Sequence, residues 1–598
     1  MGTSTRSYTP FLAFLAGVIT TCALLAQPQV GIRHSSTNFK RSAVQDLAER
    51  AEPWVGSTEV HSYPPTNAVN YDPTLFPSDV GFPGPTPTGA EPALLATAPA
   101  YPFSSPDQGL LVVPKEFSSN KFPLLKKWGN LSPWYSNPIG TFGVETGPAA
   151  PESCTVTALH LLHRHGARYP TTSNSATSPS SFATKLLQTN GNWTASGNLA
   201  FLNDWTFKLG AEILTPFGRH QLLELGVSMR LKYGNLLKNF TETNTLPVFR
   251  TESQDRMLAS ALNFAIGFFG YPFDGQYEQS ITIEGAGFNN SLAPYYACPN
   301  SGVATIGGRA TWFVNKWANI YLQPALKRIN SLISGFQFTI SDIYAMQNLC
   351  AYETVALGYS SFCPLFTEEE WDQFDYSFDL NFWYGSGFGS PVGRAQGIGY
   401  VQELVARLTK TPIETYNSST NSTLDSNPTT FPLDGRALYV DATHEVVIIN
   451  SSLFSLSQIL SNTHGLHPVL TALNLSTLAA TGPLPYDHIP ERRSFITHEF
   501  AAFGANVQFQ LLSCACTPGD QIRVILNDGP VPLSPLKYCP DDSKYGMCPV
   551  DDFVRSLEEI IQETDFAWAC LGNYTLPDGD AWQTVTGDPP AKPANYTP

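Results

Sequence analysis

A β-type run, Thr155-Val-Thr-Ala-Leu-His-Leu-Leu162, passes without a loop into His163-Arg164-His165-Gly166-Ala167-Arg168-Tyr169-Pro170. The run reads as a strand, and the chemistry is concentrated where it ends. The flanking sequence alternates helices with strands. Leu214-Thr215-Pro216 reads as a helix start, with Thr as N-cap and Pro at the first helical position, running to about Leu237. Pro247 to Phe249 reads as a short strand, and Ser253 as the cap of a helix that reaches about Phe269. From about Trp312 to Leu408 the pattern is largely helical. Ala437 to Val440 reads as a strand leading into Asp441-Ala-Thr-His444-Glu445, and Gln521 to Leu533 as a hairpin turning at Asn527-Asp528-Gly529. Strands alternating with helices, broken by a helical stretch, predict an α/β sheet with an inserted α-domain at roughly residues 275–425.

The turn carries the chemistry. Arg164 and Arg168 bracket His165, and guanidinium forks bind phosphoryl oxygens through charge-assisted, often bidentate hydrogen bonds. A neutral imidazole nitrogen can attack phosphorus and split one hard displacement into two easier ones. The adjacent positive charges are expected to depress the pKa of His165 and keep it neutral in mild acid. Against this stands the overall charge: the 598 residues carry a formal net charge of −16. Such acidity argues against nucleic acid or an anionic membrane surface as the main partner. Any anion site must therefore be a local cationic cluster, suited to small phosphorylated substrates.

The N-terminus reads as a leader. The apolar run from Phe11 to Ala26 is shorter than the about 20 residues a membrane span needs, and fits a signal peptide cleaved near Ala23 or Ala26. An uncleaved signal anchor, giving attachment at the cell surface, is the alternative. Residues 27–146 are rich in Pro, Ser, Thr and Gly without a sustained period, and read as an extension draped over a main domain of residues 147–598. Asn-X-Ser/Thr sequons at Asn130, Asn192, Asn239, Asn289, Asn417, Asn421, Asn450, Asn474, Asn573 and Asn595 suit a glycosylated, secreted surface. The cysteines beyond the leader match no metal-ligand spacing, so they read as disulfides with one thiol left over. No cofactor is called for.

Arg164-His-Gly-Ala-Arg-Tyr-Pro-Thr171 resembles the signature of the histidine acid phosphatases, in particular the fungal-type phytases and their acid-phosphatase relatives. Leu214-Thr-Pro-Phe-Gly218, Phe249-Arg250 with Asp255-Arg256, Gln396 to Leu408, Thr429 to Leu433 and Arg523 to Gly529 resemble further segments in family order. The resemblance implies a mixed sheet between helices, of the phosphoglycerate-mutase-like kind, plus a smaller α-domain with the active site between them. Carried over, His165 matches the nucleophile, Arg164 and Arg168 the phosphate-binding arginines, and Arg250 a third arginine of that pocket. Arg256 is assigned a structural role in its helix. His444 matches the histidine that donates to the phosphoryl group. Glu445 stands where these phosphatases usually place an Asp that protonates the leaving alcohol, and its carboxyl reaches one methylene further. His498-Glu499 repeats the dipeptide outside the matching segments and is read as structural.

The resemblance also implies pairings Cys154–Cys514, Cys298–Cys570, Cys350–Cys363 and Cys539–Cys548, with Cys516 unpaired. Phytases of this kind carry lysines shortly after the signature and before a Tyr-Gly pair. Here the first region, Thr171 to Pro179, holds no cation before Lys185, and Asn381 and Phe382 occupy the second. The expected activity is therefore that of a secreted acid phosphatase on phosphate monoesters. The alternatives are a phytase, a weakly active relative that binds phosphate esters, and a phosphoglycerate-mutase-type isomerase.

Overall fold

The computed structural model describes residues 110–114, 117, 122–171, 175–189, 191–444, 466–541 and 543–594. The leader, most of the extension, and Glu445, Asn450 and Asn595 lie outside the described residues.

Ten strands are formed among the described residues: β1 Cys154–Arg164, β2 Thr194–Ala195, β3 Val248–Glu252, β4 Glu278–Thr282, β5 Ile333–Ser334, β6 Leu438–Thr443, β7 Asn506–Cys514, β8 Gln521–Leu526, β9 Gly529–Val531 and β10 Met547–Pro549. The main sheet runs β10-β8-β7-β1-β6-β3-β4, with β9 on β8, while β2 and β5 make a separate ribbon. It is mixed. β1 pairs parallel with β6, and β6 and β4 lie parallel on either side of β3, whereas β7 and β8 continue the sheet antiparallel. The central parallel strands β3 and β6 are wholly buried, as strands covered on both faces must be, while β4 at the sheet edge is largely open. The β8–β9 hairpin turns at Asn527 and Asp528, both at positive φ (47° and 66°), which is the turn expected from Asn-Asp-Gly.

Helices α1 Pro216–Tyr233 and α2 Asp255–Phe269 cover one face of the parallel strands, burying Leu222, Met229, Phe264 and Phe268 against Leu161, Phe249 and Val440. Thr215 caps α1 through its side chain, with Pro216 at the first position. Ser253 does not cap α2. Gln254 is its N-cap, and Ser253 Oγ instead accepts from the Glu284 backbone N–H at 3.0 Å. Between β4 and β6 the chain is mainly helical and includes α3 Ile340–Leu357, α4 Glu368–Gly385 and α5 Gly393–Thr409.

All four expected disulfides are formed, and Cys516 is free and exposed. Part of the stretch read as an extension packs into the main core. Phe122, Leu124, Trp128 and Leu131 are buried in the main core, because four large apolar side chains in ten residues gain more from burial than a draped extension allows. Asn130 is 4% exposed, which takes its sequon off the exposed surface.

Two glycines set how the β1 turn sits on α1. A Cβ on Gly166 would lie 2.1 Å from the Gly218 carbonyl oxygen, and one on Gly218 would lie 1.9 Å from that of Ala167. Both contacts are backbone, so neither can yield by a rotamer change. Gly218→Ala is expected to cost about 1–3 kcal/mol through overpacking and to displace the turn. A thermal scan should show a lowered unfolding temperature, and an unchanged one would contradict this packing.

Candidate active site

The site is assembled where β1, β6 and β3 end. Arg164 pairs with Thr443 in the β1–β6 register, so His165 and His444 leave neighbouring parallel strands at the same level. The His165 N–H donates to the Thr443 carbonyl (3.2 Å), and Gly504 N–H donates to the His165 carbonyl (2.9 Å). Gly166 N–H donates to Ser260 Oγ and Ala167 N–H to Gln221 Oε1, which ties the turn to both covering helices. The two imidazoles lie 5.6 Å apart, centroid to centroid and nearly edge-on, and both are fully buried.

His165 Nδ1 lies 2.8 Å from the Gly166 carbonyl oxygen. A carbonyl only accepts, so this contact puts the proton on Nδ1 and leaves Nε2 with its lone pair in the neutral ring. Arg164 is buried, with Nη1 donating to the carbonyls of Asn130 (2.6 Å) and Ala501 (2.8 Å) and its cation stacked on Phe503. Arg168 is buried likewise and donates to the Tyr169 carbonyl. His160 and His163 sit deeper on β1, stacked on Tyr439 and Phe264. Burial pushes them down to about 3 and about 4, so both are neutral core residues. His498 faces the buried Asp375 at 2.8 Å, in keeping with a structural role.

Around His444 lies a feature that the sequence reading passed over. His444 Nε2 is 2.9 Å from Glu284 Oε2 and 3.0 Å from Glu252 Oε2, all three side chains being buried. Burial pushes the Glu252 carboxyl up to about 8 against the pull of His444. Burial would lower His444, but the two carboxylates raise it to about 9. Among the described residues these three are the one group whose ligand atoms have the mutual spacing of a cation site. The Nε2–O distances are those of an N–H shared by two acceptors, and a cation would need that nitrogen deprotonated.

Residues 155–527 match the family described as the histidine phosphatase superfamily, branch 2. The chain belongs to it. A protein named phytase A from Aspergillus oryzae is 32% identical over 482 residues, covering 78% of this chain and 95% of its own. A phytase A from Emericella nidulans is 34% identical over 448 residues, covering 72% and 87%. The crystal structure of the phytase from D. castellii shares the fold, with a TM-score of 0.57 at 23% identity, over 78% of this chain and 94% of that one.

One arginine of this histidine phosphatase is not where the motif reading put it. Arg250 pairs with Asp441 across β3 and β6, three residues before the level of His444, or about 10 Å back along the strands. Its Nη2 lies 2.5 Å from Glu403, its Nε 2.7 Å from Asp441 and its Nη1 3.9 Å from Asp425, with Arg407 completing the buried ion cluster. A guanidinium so enclosed has no fork left for a phosphoryl group. Arg256, read as structural, is the better placed. It lies one helical turn before Ser260, on the face that meets Gly166, and is 1% exposed. Nη1 donates to Glu212 at 2.9 Å, while Nε and Nη2 have no hydrogen-bond partner among the described residues. The two residues separate by experiment. Arg250→Met is expected to destabilise the fold by about 3–5 kcal/mol, the cost of breaking a buried ion pair. Arg256→Met should instead raise the inhibition constant of inorganic phosphate at least tenfold in a folded enzyme. The reverse pattern would restore Arg250 to the pocket.

Proposed function

We propose that this phosphatase is a secreted acid phosphatase acting on phosphate monoesters through a phosphohistidine on His165. The observation that carries the proposal is the Nδ1 contact to the Gly166 carbonyl, which presents Nε2 as the nucleophilic nitrogen beside a protonated His444. In the first step Nε2 forms the N–P bond as the ester P–O bond breaks, and the leaving alcohol takes a proton from Glu445. In the second, water gives that proton back to Glu445 and attacks phosphorus, and the N–P bond breaks to release phosphate. Arg164, Arg168 and Arg256 neutralise the phosphoryl oxygens, and His444 Nδ1–H stabilises the charge that develops on them. The catalytic unit begins near residue 122 in this reading. The four disulfides and the exposed sequon residues Asn192, Asn289, Asn417 and Asn573 support export and glycosylation.

The names of the relatives bring phytate into question as a second reading. A hexaphosphate calls for cations around the pocket mouth beyond those at the reacting phosphate. Asn381 and Phe382 are interior residues of α4, and Lys185 is paired with Asp342. Each missing contact is worth about 1 kcal/mol at a partly exposed site. Measured at pH 5, kcat/KM for phytate is therefore expected at least tenfold below that for small aryl phosphates. Equal or higher values would make the chain a phytase. In the same panel Glu445→Gln should slow alkyl phosphates far more than p-nitrophenyl phosphate, whose leaving group needs no proton. Equal slowing would remove Glu445 as the acid.

A further inference from the structure

Glu284 and Glu252 touch the same nitrogen but live in different surroundings. Glu284 is saturated as an anion. It accepts from His444 Nε2, from Tyr295 Oη and from Gln254 Nε2 at 3.0 Å, with the Arg256 charge nearby and its backbone held on Ser253. Burial alone would raise Glu284, and these partners bring it well below the usual carboxylate range. Glu252, equally buried at the tip of β3, has neither oxygen in a hydrogen bond of good geometry among the described residues. Its close polar neighbours are the N–H already given to Glu284 and the Glu284 carboxylate itself. Two carboxylates this close cannot both stay ionised without cost, so the proton goes to the poorly served one. The third member, His444, has no partner for Nδ1 among the described residues.

We propose that Glu252 and Glu284 act as a carboxylic acid–carboxylate pair that positions His444 as a doubly protonated imidazolium with Nδ1–H held for the phosphoryl group, and that ionisation of Glu252 sets the upper pH limit of phosphate binding. The proposal rests on the reading of His444 as the phosphoryl donor. In mild acid the trio is neutral overall: one cation, one anion, one uncharged acid. When Glu252 loses its proton, the trio gains a negative charge beside the anion site. The other groups around the trio are His165 from β1, edge-on to His444, and Arg256, Gln254 and Tyr295, all three acting on Glu284. On its own strand, Asp441 is neutralised by Arg250 and Arg407. Glu252 is thus a positioning residue, acting through His444 rather than on the substrate.

The test uses the full chain with inorganic phosphate as probe, and its binding measured by calorimetry from pH 5 to pH 9. Glu252→Ala should bind phosphate at least tenfold more weakly than wild type at pH 5. Glu252→Gln, whose amide can donate to Glu284 and accept from Nε2–H without titrating, should recover that loss. At pH 9 it should bind at least tenfold more tightly than wild type. A constant ratio between Glu252→Gln and wild type across the range would overturn the proposal. A second arm reads ¹⁵N-histidine spectra of the phosphate-free protein, with the His444 signal identified from its loss in His444→Asn. Wild type should show an imidazolium at pH 7.5, and a neutral ring there would overturn the pair. This arm needs no turnover, so an imidazolium in a protein without phosphatase activity would leave the pair standing and remove the functional reading. Loss of phosphate binding on chelation, restored by a divalent cation, would make the trio a metal site instead.

Discussion

The parallel pairing of β1 with β6 is the constraint on which the rest depends. It places His165 and His444 at the ends of adjacent strands, at one level, with a backbone hydrogen bond from the His165 N–H to Thr443. A slip of one residue would turn one imidazole to the opposite face of the sheet. The register is secured from both sides. Antiparallel β7 holds β1 along its length, and Cys154–Cys514 closes the far end of that pair. On the other flank Arg250 and Arg407 both grip Asp441, in the middle of β6. The ion cluster therefore acts at a distance: it fixes the strand that carries His444, and its cations are fully occupied in doing so.

The charge arrangement at the strand ends follows from burial. An imidazole taken out of water loses its proton unless an anion stays beside it, as His160 and His163 illustrate on the same strand. Neither has a carboxylate in contact, and both are neutral. His444 has two, and they raise it to about 9. The two rings thus differ in what each faces: a carbonyl for His165, carboxylates for His444.

What was legible in the sequence was what is locally determined. Thr215-Pro216 starts a helix and Asn527-Asp528-Gly529 turns a hairpin because the conformations are written into those few residues. The four disulfides and the Arg-His-Gly turn came through resemblance to a family whose spacing is retained. Arg250 and Arg256 show where such reading stops. They are six residues apart on either side of the strand–helix junction, and only the pairing of β3 with β6 decides which reaches the strand ends. Glu252 and Glu284 belong to no motif, and only the β3–β4 pairing brings them together on His444. Residues 122–131 look like the rest of a Pro-rich extension until Trp128 and its neighbours are seen in the core.

The central claim is that His165 carries the phosphoryl group. The most direct measurement is rapid acid-free denaturation of the full chain during turnover of ³²P-labelled p-nitrophenyl phosphate, followed by peptide mapping of the label. The account predicts a base-stable, acid-labile phosphate on the peptide containing His165, absent from His165→Ala. Turnover by His165→Ala at the wild-type rate, or a label on any other residue, would contradict it.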